Sequence, residues 1–228
     1  MAKLKSTLPN MFLSLTLICV FAGAVLATVN MYTAAPIALS KAAALESAIK
    51  EVVPAYDNNP LEDAYNAVTA DGDSLTIYPA LKEGKQVGVA VRSNSMNGFS
   101  GEIQVIVGFD AAGTILNYSV LQHAETPGLG SKMQEWFRMD KNNQSVIGRS
   151  LASGNLKVSK DGGDVDAITA STITSRAFLH TINRAYSAYV GATDATTEAT
   201  AEATTDATTE ATADTESTEN LKEGGNDE

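Results

Sequence analysis

Residues 102–121 read EIQVIVGFDAAGTILNYSVL, and this stretch decides the fold class. Its first half alternates in polarity, which places four apolar side chains on one face of an extended chain: Ile103, Val105, Val107 and Phe109. A polar turn at 110–113 leads into a second extended run at 115–121. The stretch therefore predicts an antiparallel β-hairpin with one buried face.

A second hairpin is predicted upstream of the first. Residues 75–81 and 87–92 have strand composition and are joined through Lys82-Glu83-Gly84-Lys85, a short turn with glycine. Residues 156–158 favour one further strand, ahead of the turn Asp161-Gly162-Gly163-Asp164. The middle of the chain is thus dominated by strands.

Three segments have helical periodicity. Residues 41–55 carry apolar side chains at helical spacing up to a break near Pro54. Residues 132–139 predict a short helix with Met133, Trp136 and Phe137 on the buried side. Residues 175–190 predict the last helix, ending at Gly191, and its apolar face is formed by Phe178, Ile182, Tyr186 and Tyr189. Helices added to an antiparallel sheet make an α+β domain.

The N-terminal region has the composition of a membrane anchor. No charged residue lies between Lys5 and Lys41, and residues 11–29 read MFLSLTLICVFAGAVLATV. As a helix, this segment is long enough to cross about 30 Å of hydrocarbon. Lys3 and Lys5 precede it, so the positive-inside bias places residues 1–10 in the cytoplasm and the remaining chain outside, in the periplasm of a bacterium.

A cleaved signal peptide is the alternative, because Val25-Leu26-Ala27 has the small residues of a weak cleavage site. The anchor is favoured, since the apolar segment exceeds the roughly 7–15 residues of a signal's hydrophobic region. Cys19 is the only cysteine. It cannot form an intrachain disulfide, so the redox compartment cannot be read from thiols.

The acidic charge belongs to the C-terminal end. Eleven of the 27 acidic residues and one of the 16 basic residues fall in 191–228, so this tail carries −10 of the net −11. Its Thr/Ala/acid repeats are polar and self-repelling and predict disorder. The predicted organisation is a linker helix at 30–60, a globular domain at 61–190 and a disordered tail at 191–228. The near-neutral domain has no basic patch, which argues against nucleic acid as a partner.

A hydroxyl-rich run occupies residues 166–175, DAITASTITS, at the start of the last helix. A helix N-terminus offers free N–H groups and a positive dipole end, both of which favour a phosphate. Thr172 stands close to that point and could carry a phosphate-bearing cofactor. The ordinary interpretation is that Thr174 or Ser175 simply caps the helix.

A second unusual run, Glu125-Thr126-Pro127-Gly128-Leu129-Gly130, is too rich in proline and glycine for regular structure and predicts a loop. Glycines let a backbone approach a flat ring, and Leu129 offers it an apolar contact. Glu125 and Thr126 could supply polar contacts. An ordinary Pro-Gly turn is the alternative. His123 and His180 lack the neighbours of a metal site and are interpreted as structural.

Together the two runs resemble the covalent FMN-binding subunits of bacterial ion-translocating electron-transfer complexes, and the nearer match is the G subunit of the Rnf complex. The resemblance spans residues 1–190. The family's motif is an acid, two residues, Ser or Thr, Gly, Ala, the flavin-bearing Thr and a further hydroxyl residue. It falls on Asp166, Thr169, Ala170, Ser171, Thr172 and Thr174. Thr172 would carry FMN through a phosphoester bond, with Thr169 as the alternative; Ala170 and Ser171 depart from the usual Gly and Ala.

The resemblance implies an electron-relay subunit of a translocase that moves electrons between ferredoxin and NAD⁺ and couples this to ion transport. The domain would lie on the periplasmic side of the bacterial inner membrane, with membrane lipid and the other Rnf subunits as partners. A flavin transferase using FAD and Mg²⁺ would attach the FMN. No catalytic triad, P-loop or Rossmann fingerprint is found, so no self-contained active site is expected. The flavin would supply the redox chemistry.

Three other functions are weighed against this one. The C subunit of the Na⁺-translocating NADH:quinone oxidoreductase shares the anchor, the motif and covalent FMN. An anchored periplasmic flavoprotein could instead donate electrons to a separate reductase. A non-redox surface binding module would use the hydroxyl runs only as caps and turns, and it would carry no FMN adduct.

Overall fold

The computed structural model describes residues 7–69 and 72–213, with side chains up to residue 193. The chain divides into two compact units, one ending at Ser47 and one beginning at Ala48. Residues 1–6, part of the expected cytoplasmic segment, and residues 214–228 lie outside the described ranges.

The first unit consists of helix α1, Leu8–Val52, whose final turn belongs to the second unit. By length and composition α1 can cross a membrane, and its large apolar side chains between Leu8 and Leu39 are exposed. Within the described residues α1 is the one helix long and apolar enough to do so, which indicates a single membrane span. The sequence predicts an anchor and a separate linker helix, whereas α1 is continuous. Pro36 lies inside it without ending it, and α1 ends two residues before Pro54, where the pre-proline restriction applies.

The second unit is built on a five-stranded antiparallel sheet with the strand order of the chain. Its strands are β1 Tyr65–Val68, β2 Ser74–Lys82, β3 Lys85–Gly98, β4 Gly101–Phe109 and β5 Ile115–Gln122. Both predicted hairpins are confirmed, as β2–β3 and β4–β5. The expected strand at 156–158 is wrong: Val158 makes only an isolated parallel bridge, with Val165.

Helices cover one face of this sheet. Helix α2, Met133–Trp136, follows a 3-10 turn at Gly130–Lys132 and is shorter than predicted. Helix α3, Thr172–Ala213, begins three residues before the predicted start. Phe178 of α3 stacks on Phe137 with ring centroids 4.4 Å apart, and both rings are fully buried. This aromatic pair fixes the first turns of α3 over the sheet.

The predicted end of the last helix at Gly191 is wrong, because α3 continues to Ala213. Gly191 is not among the glycines with a positive φ, so it does not adopt the left-handed conformation that ends many helices. Alanines downstream then favour continued helix. The α+β class, the N-terminal apolar helix and the antiparallel sheet are confirmed. Of the tail predicted to be disordered, 191–213 lies within α3, and 214–228 lies outside the described residues, where disorder stays a prediction.

Candidate functional site

The Glu125–Gly130 run leaves the end of β5 as a tight loop. The Gly128 backbone has φ +76° and its N–H donates to the Ser131 hydroxyl at 2.9 Å. The Leu129 N–H donates to the Thr126 carbonyl at 3.2 Å. These bonds leave Thr126, Pro127 and Leu129 facing solvent and turn Glu125 inward, where it is 5 % exposed.

The hydroxyl run forms a turn that starts α3. The Ser171 N–H donates to the Ile168 carbonyl at 3.0 Å, and Ala170 between them has φ +61°. The Ser175 hydroxyl accepts from the Ile168 N–H at 2.9 Å and donates to the Ser171 carbonyl. Thr172 is the first residue of the helix. Thr174 and Ser175 therefore lie inside the helix, and the ordinary interpretation of either as its cap is wrong.

A buried hydrogen bond joins the two runs. The Thr174 hydroxyl donates to Glu125 Oε2 at 2.7 Å, and the Ser100 N–H donates to Oε1 at 3.1 Å. Gly130 makes this contact possible, because a Cβ there would lie 2.5 Å from Glu125 Oε2 and 2.8 Å from Thr174 Oγ1. The fold thus brings both sequence motifs to one place.

A cavity of 350 Å³ opens at this junction. From the expected site residues it is lined by Glu125, Thr126, Leu129, Gly130, Ser171, Thr172 and Thr174. Pro127, Gly128, Asp166 and Thr169 are outside the lining set. The volume lies within the range of small-molecule sites.

Asp166 does not line the cavity, but its hydrogen bonds hold the segments around the hydroxyl run together. Its carboxylate accepts from the Ser159 hydroxyl at 2.8 Å and from the Asn143 N–H at 3.3 Å. Its carbonyl accepts from Trp136 Nε1 at 2.9 Å. Asp166 therefore connects helix α2, the loop at Asn143 and the 3-10 turn at Ser159 to the hydroxyl run.

Three residues near the cavity are absent from the sequence prediction. Phe99 in the β3–β4 turn and Ile173 on α3 line the cavity and are 68 % and 49 % exposed. Lys160 Nζ donates to Thr172 Oγ1 at 3.2 Å. Phe99 could have been noticed as a large aromatic residue in a glycine turn, whereas the contact of Lys160 depends on the tertiary fold.

A second, larger cavity of 540 Å³ lies on the other side of Ile173. Asp161 and Arg176 on its wall form a two-pronged ion pair at 2.7 and 2.6 Å, and the hydrogen bond from Arg176 lowers the pKa of the Asp161 carboxyl. His180 Nδ1 lies 3.2 Å from Ser95 Oγ. Among the described residues, no group of three or more His, Cys, Asp or Glu could hold a metal ion.

The donor set of the first cavity fits FMN. The first amides of a helix lack partners within it and suit a phosphate, and Thr172 stands at this helix start. Phe99, Leu129 and Ile173 provide an apolar rim for a flat ring. Ala170 on the cavity wall is small, so a ligand can approach the backbone closely there.

Comparison with known proteins agrees with this fit. Residues 98–187 match the family model described as FMN-binding domain. A protein of Photorhabdus laumondii, named as the G subunit of the ion-translocating oxidoreductase complex, is 36 % identical over 171 residues, covering 69 % of this chain and 78 % of its own.

Two further relatives carry the same name. The one from Stutzerimonas stutzeri is 34 % identical over 182 residues, covering 76 % of this chain and 77 % of its own. The one from Vibrio cholerae is 35 % identical over 175 residues, covering 73 % and 82 %. The resemblance to the G subunit of the Rnf complex is confirmed, and the chain belongs to the G-subunit family of ion-translocating oxidoreductase complexes.

Proposed function

We propose that this chain is the FMN-carrying electron-transfer subunit of an ion-translocating oxidoreductase complex, with FMN joined covalently to Thr172. The family and the FMN-binding match support the general role. The observation that carries the attachment is the position of Thr172, which is at once the first residue of α3 and part of the cavity lining.

The neighbouring hydroxyl groups are less suited to attachment. Ser171 is 8 % exposed and Thr174 is 1 % exposed, with the Thr174 hydroxyl already donating to Glu125. Thr169 is exposed but does not line the cavity. Thr172 is half-buried, so its oxygen is accessible to a transferase while its side chain still faces the cavity.

The attachment is a phosphoryl-transfer step with FAD as co-reactant. The Thr172 oxygen bonds to the phosphorus on the riboflavin side, the bond from that phosphorus to AMP breaks, and AMP leaves. The hydroxyl proton is released and nothing is oxidised or reduced. A separate transferase with Mg²⁺ supplies the catalysis.

Once FMN is attached, this chain's residues orient it. Leu129, Phe99 and Ile173 line the cavity and would pack against the isoalloxazine ring, which would shield part of it from water. Glu125 and Thr126 line the same cavity and offer polar contacts to the ring edge. Bound FMN supplies reversible electron transfer at the surface of the domain.

Helix α1 anchors the domain to the bacterial inner membrane, and the basic residues before it keep the N-terminus in the cytoplasm. The domain is then periplasmic, beside membrane lipid and the other subunits of an Rnf complex that couples ferredoxin and NAD⁺ to ion transport. Co-purification of this chain with a ferredoxin-type iron–sulfur subunit would support its place in an Rnf complex. Co-purification with a quinone reductase module would instead favour the C subunit of the Na⁺-translocating enzyme.

Intact-mass and peptide mapping of the full chain, co-produced with a flavin transferase, test the attachment. We expect an adduct of FMN less one water on the peptide containing Thr172 and yellow fluorescence of the denatured band. Thr172→Ala should lose the adduct, whereas the control Thr169→Ala should keep it. An unmodified wild-type chain would contradict the proposal and favour the non-redox binding module.

A further inference from the structure

Lys160 contacts Thr172 Oγ1, the oxygen to which FMN is attached in the proposed function. Its Nζ donates a hydrogen bond to Thr172 Oγ1 at 3.2 Å across twelve positions of the chain. Lys160 lies in a 3-10 turn, Ser159–Asp161, which precedes the hydroxyl run. The side chain is exposed, so no packing requirement explains its direction.

Both neighbours of Lys160 are fixed to other parts of the site. The Ser159 hydroxyl donates to Asp166 at 2.8 Å. Asp161 accepts two hydrogen bonds from Arg176, at 2.7 and 2.6 Å, and Arg176 belongs to the second turn of α3. Planar two-pronged pairs of this kind set orientation as well as distance. The turn that carries Lys160 is thereby held against the start of α3.

The charges around Thr172 give this lysine a distinct role. The nearby carboxylate, Glu125, already accepts hydrogen bonds from Thr174 and Ser100. Asp161 is paired with Arg176. Lys157 lines the second cavity, on the far side of Ile173. Lys160 places its ammonium group against Thr172.

We propose that Lys160 is the positioning residue for flavin attachment, because its ammonium group orients the Thr172 oxygen and pairs with the phosphate as it becomes bonded there. This inference rests on the proposed function. As the Oγ–P bond forms and AMP leaves, the hydroxyl proton departs and the new phosphodiester keeps one negative charge. An ammonium group beside that charge stabilises both the transition state and the product.

The rate of adduct formation tests the role of Lys160. The full chain, FAD, Mg²⁺ and the transferase are mixed at low salt, and the adduct is followed by intact mass. We expect Lys160→Gln to slow modification roughly tenfold, the scale of one charge-assisted hydrogen bond. Lys160→Arg should restore most of the rate, since it keeps the charge. Lys157→Gln, a matched loss of an exposed lysine, should behave as wild type.

Salt dependence separates a charge effect from a general change of structure. Exposed charges are screened as ionic strength rises, so the difference in modification rate between Lys160→Gln and Lys157→Gln should narrow at high salt.

Equal modification rates of these two variants at low salt would overturn the inference. If the wild type gains no adduct at all, the proposed function fails; if the wild type is modified and Lys160→Gln keeps pace with it, only the role of Lys160 fails. Arg176→Gln, which frees the turn without removing the lysine, should slow modification less than Lys160→Gln.

Discussion

Thr174 and Glu125 are 49 positions apart in the chain, and the Thr174 hydroxyl donates to the Glu125 carboxylate at 2.7 Å. Both side chains are buried. Glu125 also accepts from the Ser100 N–H, and the Gly98 backbone passes so close that a Cβ there would lie 2.7 Å from Oε1. A buried carboxylate is costly unless it is hydrogen-bonded. This contact therefore holds the β3–β4 turn, the Glu125–Gly130 loop and the start of α3 together.

Thr174→Val should destabilise the domain by about 2 kcal/mol, because it removes a donor from a buried carboxylate while keeping the shape of the side chain. Denaturant unfolding of the full chain without flavin measures this change. Trp136 is the only tryptophan and is partly buried, so its fluorescence reports the transition.

Thr172→Val is the matched control for that substitution. The Thr172 hydroxyl accepts its hydrogen bond from the exposed Lys160 side chain, so the loss of this hydroxyl should change stability by less than about 0.5 kcal/mol. Equal effects of the two valine variants would show that Glu125 does not depend on Thr174.

Gly130→Ala should destabilise the domain by about 1–3 kcal/mol, since the new Cβ would press on Glu125 Oε2 and Thr174 Oγ1. Displacing these groups reshapes the cavity, so the extent of FMN incorporation should also fall. Thermal unfolding and intact mass measure the two effects. Gly128→Asn is the control: it faces open space at φ +76°, a conformation that Asn tolerates, and should be close to neutral.

Ala170→Gly should stabilise the domain by roughly 0.5–1 kcal/mol. Ala170 has φ +61°, which costs an L-residue about 1–2 kcal/mol, partly offset by the larger entropy of glycine in the unfolded chain. Ala152→Gly in an exposed turn without positive φ should instead be slightly destabilising. Stabilisation by both glycines would contradict this interpretation.

The sequence predicted those parts of the fold in which burial follows a regular period. The β2–β3 and β4–β5 hairpins have alternating apolar residues and glycine turns, so they were identified from the sequence. Strand β3 runs six residues further than predicted because Ser93 and Ser95 occupy its buried face and conceal the alternation. Strand β1 is only four residues long, too short for a periodic signal.

The sequence predicted that the two motifs form one site, but it did not predict the contacts that other segments make there. Residues of both motifs line it, as their unusual composition indicated. Phe99 and Lys160 come from other segments, and their proximity to Thr172 is set by the β3–β4 turn and by the Asp161–Arg176 pair. Nothing in local periodicity encodes a contact of this kind.

The Asp161–Arg176 pair should make stability depend on acid pH. Arg176 lowers the pKa of Asp161 in the folded chain, so the unfolded chain binds the proton more readily. The pair's contribution is complete above the unfolded pKa of about 4 and is lost as the pH falls through the lower folded value. Asp161→Asn should therefore be less stable than wild type at neutral pH, and the two should converge in acid. Thermal unfolding of the flavin-free full chain across this range measures the difference. In an Arg176→Gln background the pH-dependent effect of Asp161→Asn should be much smaller, and the remainder should come from Lys157, whose charge also lowers the pKa of Asp161. An undiminished effect would assign the acid dependence to a partner other than Arg176.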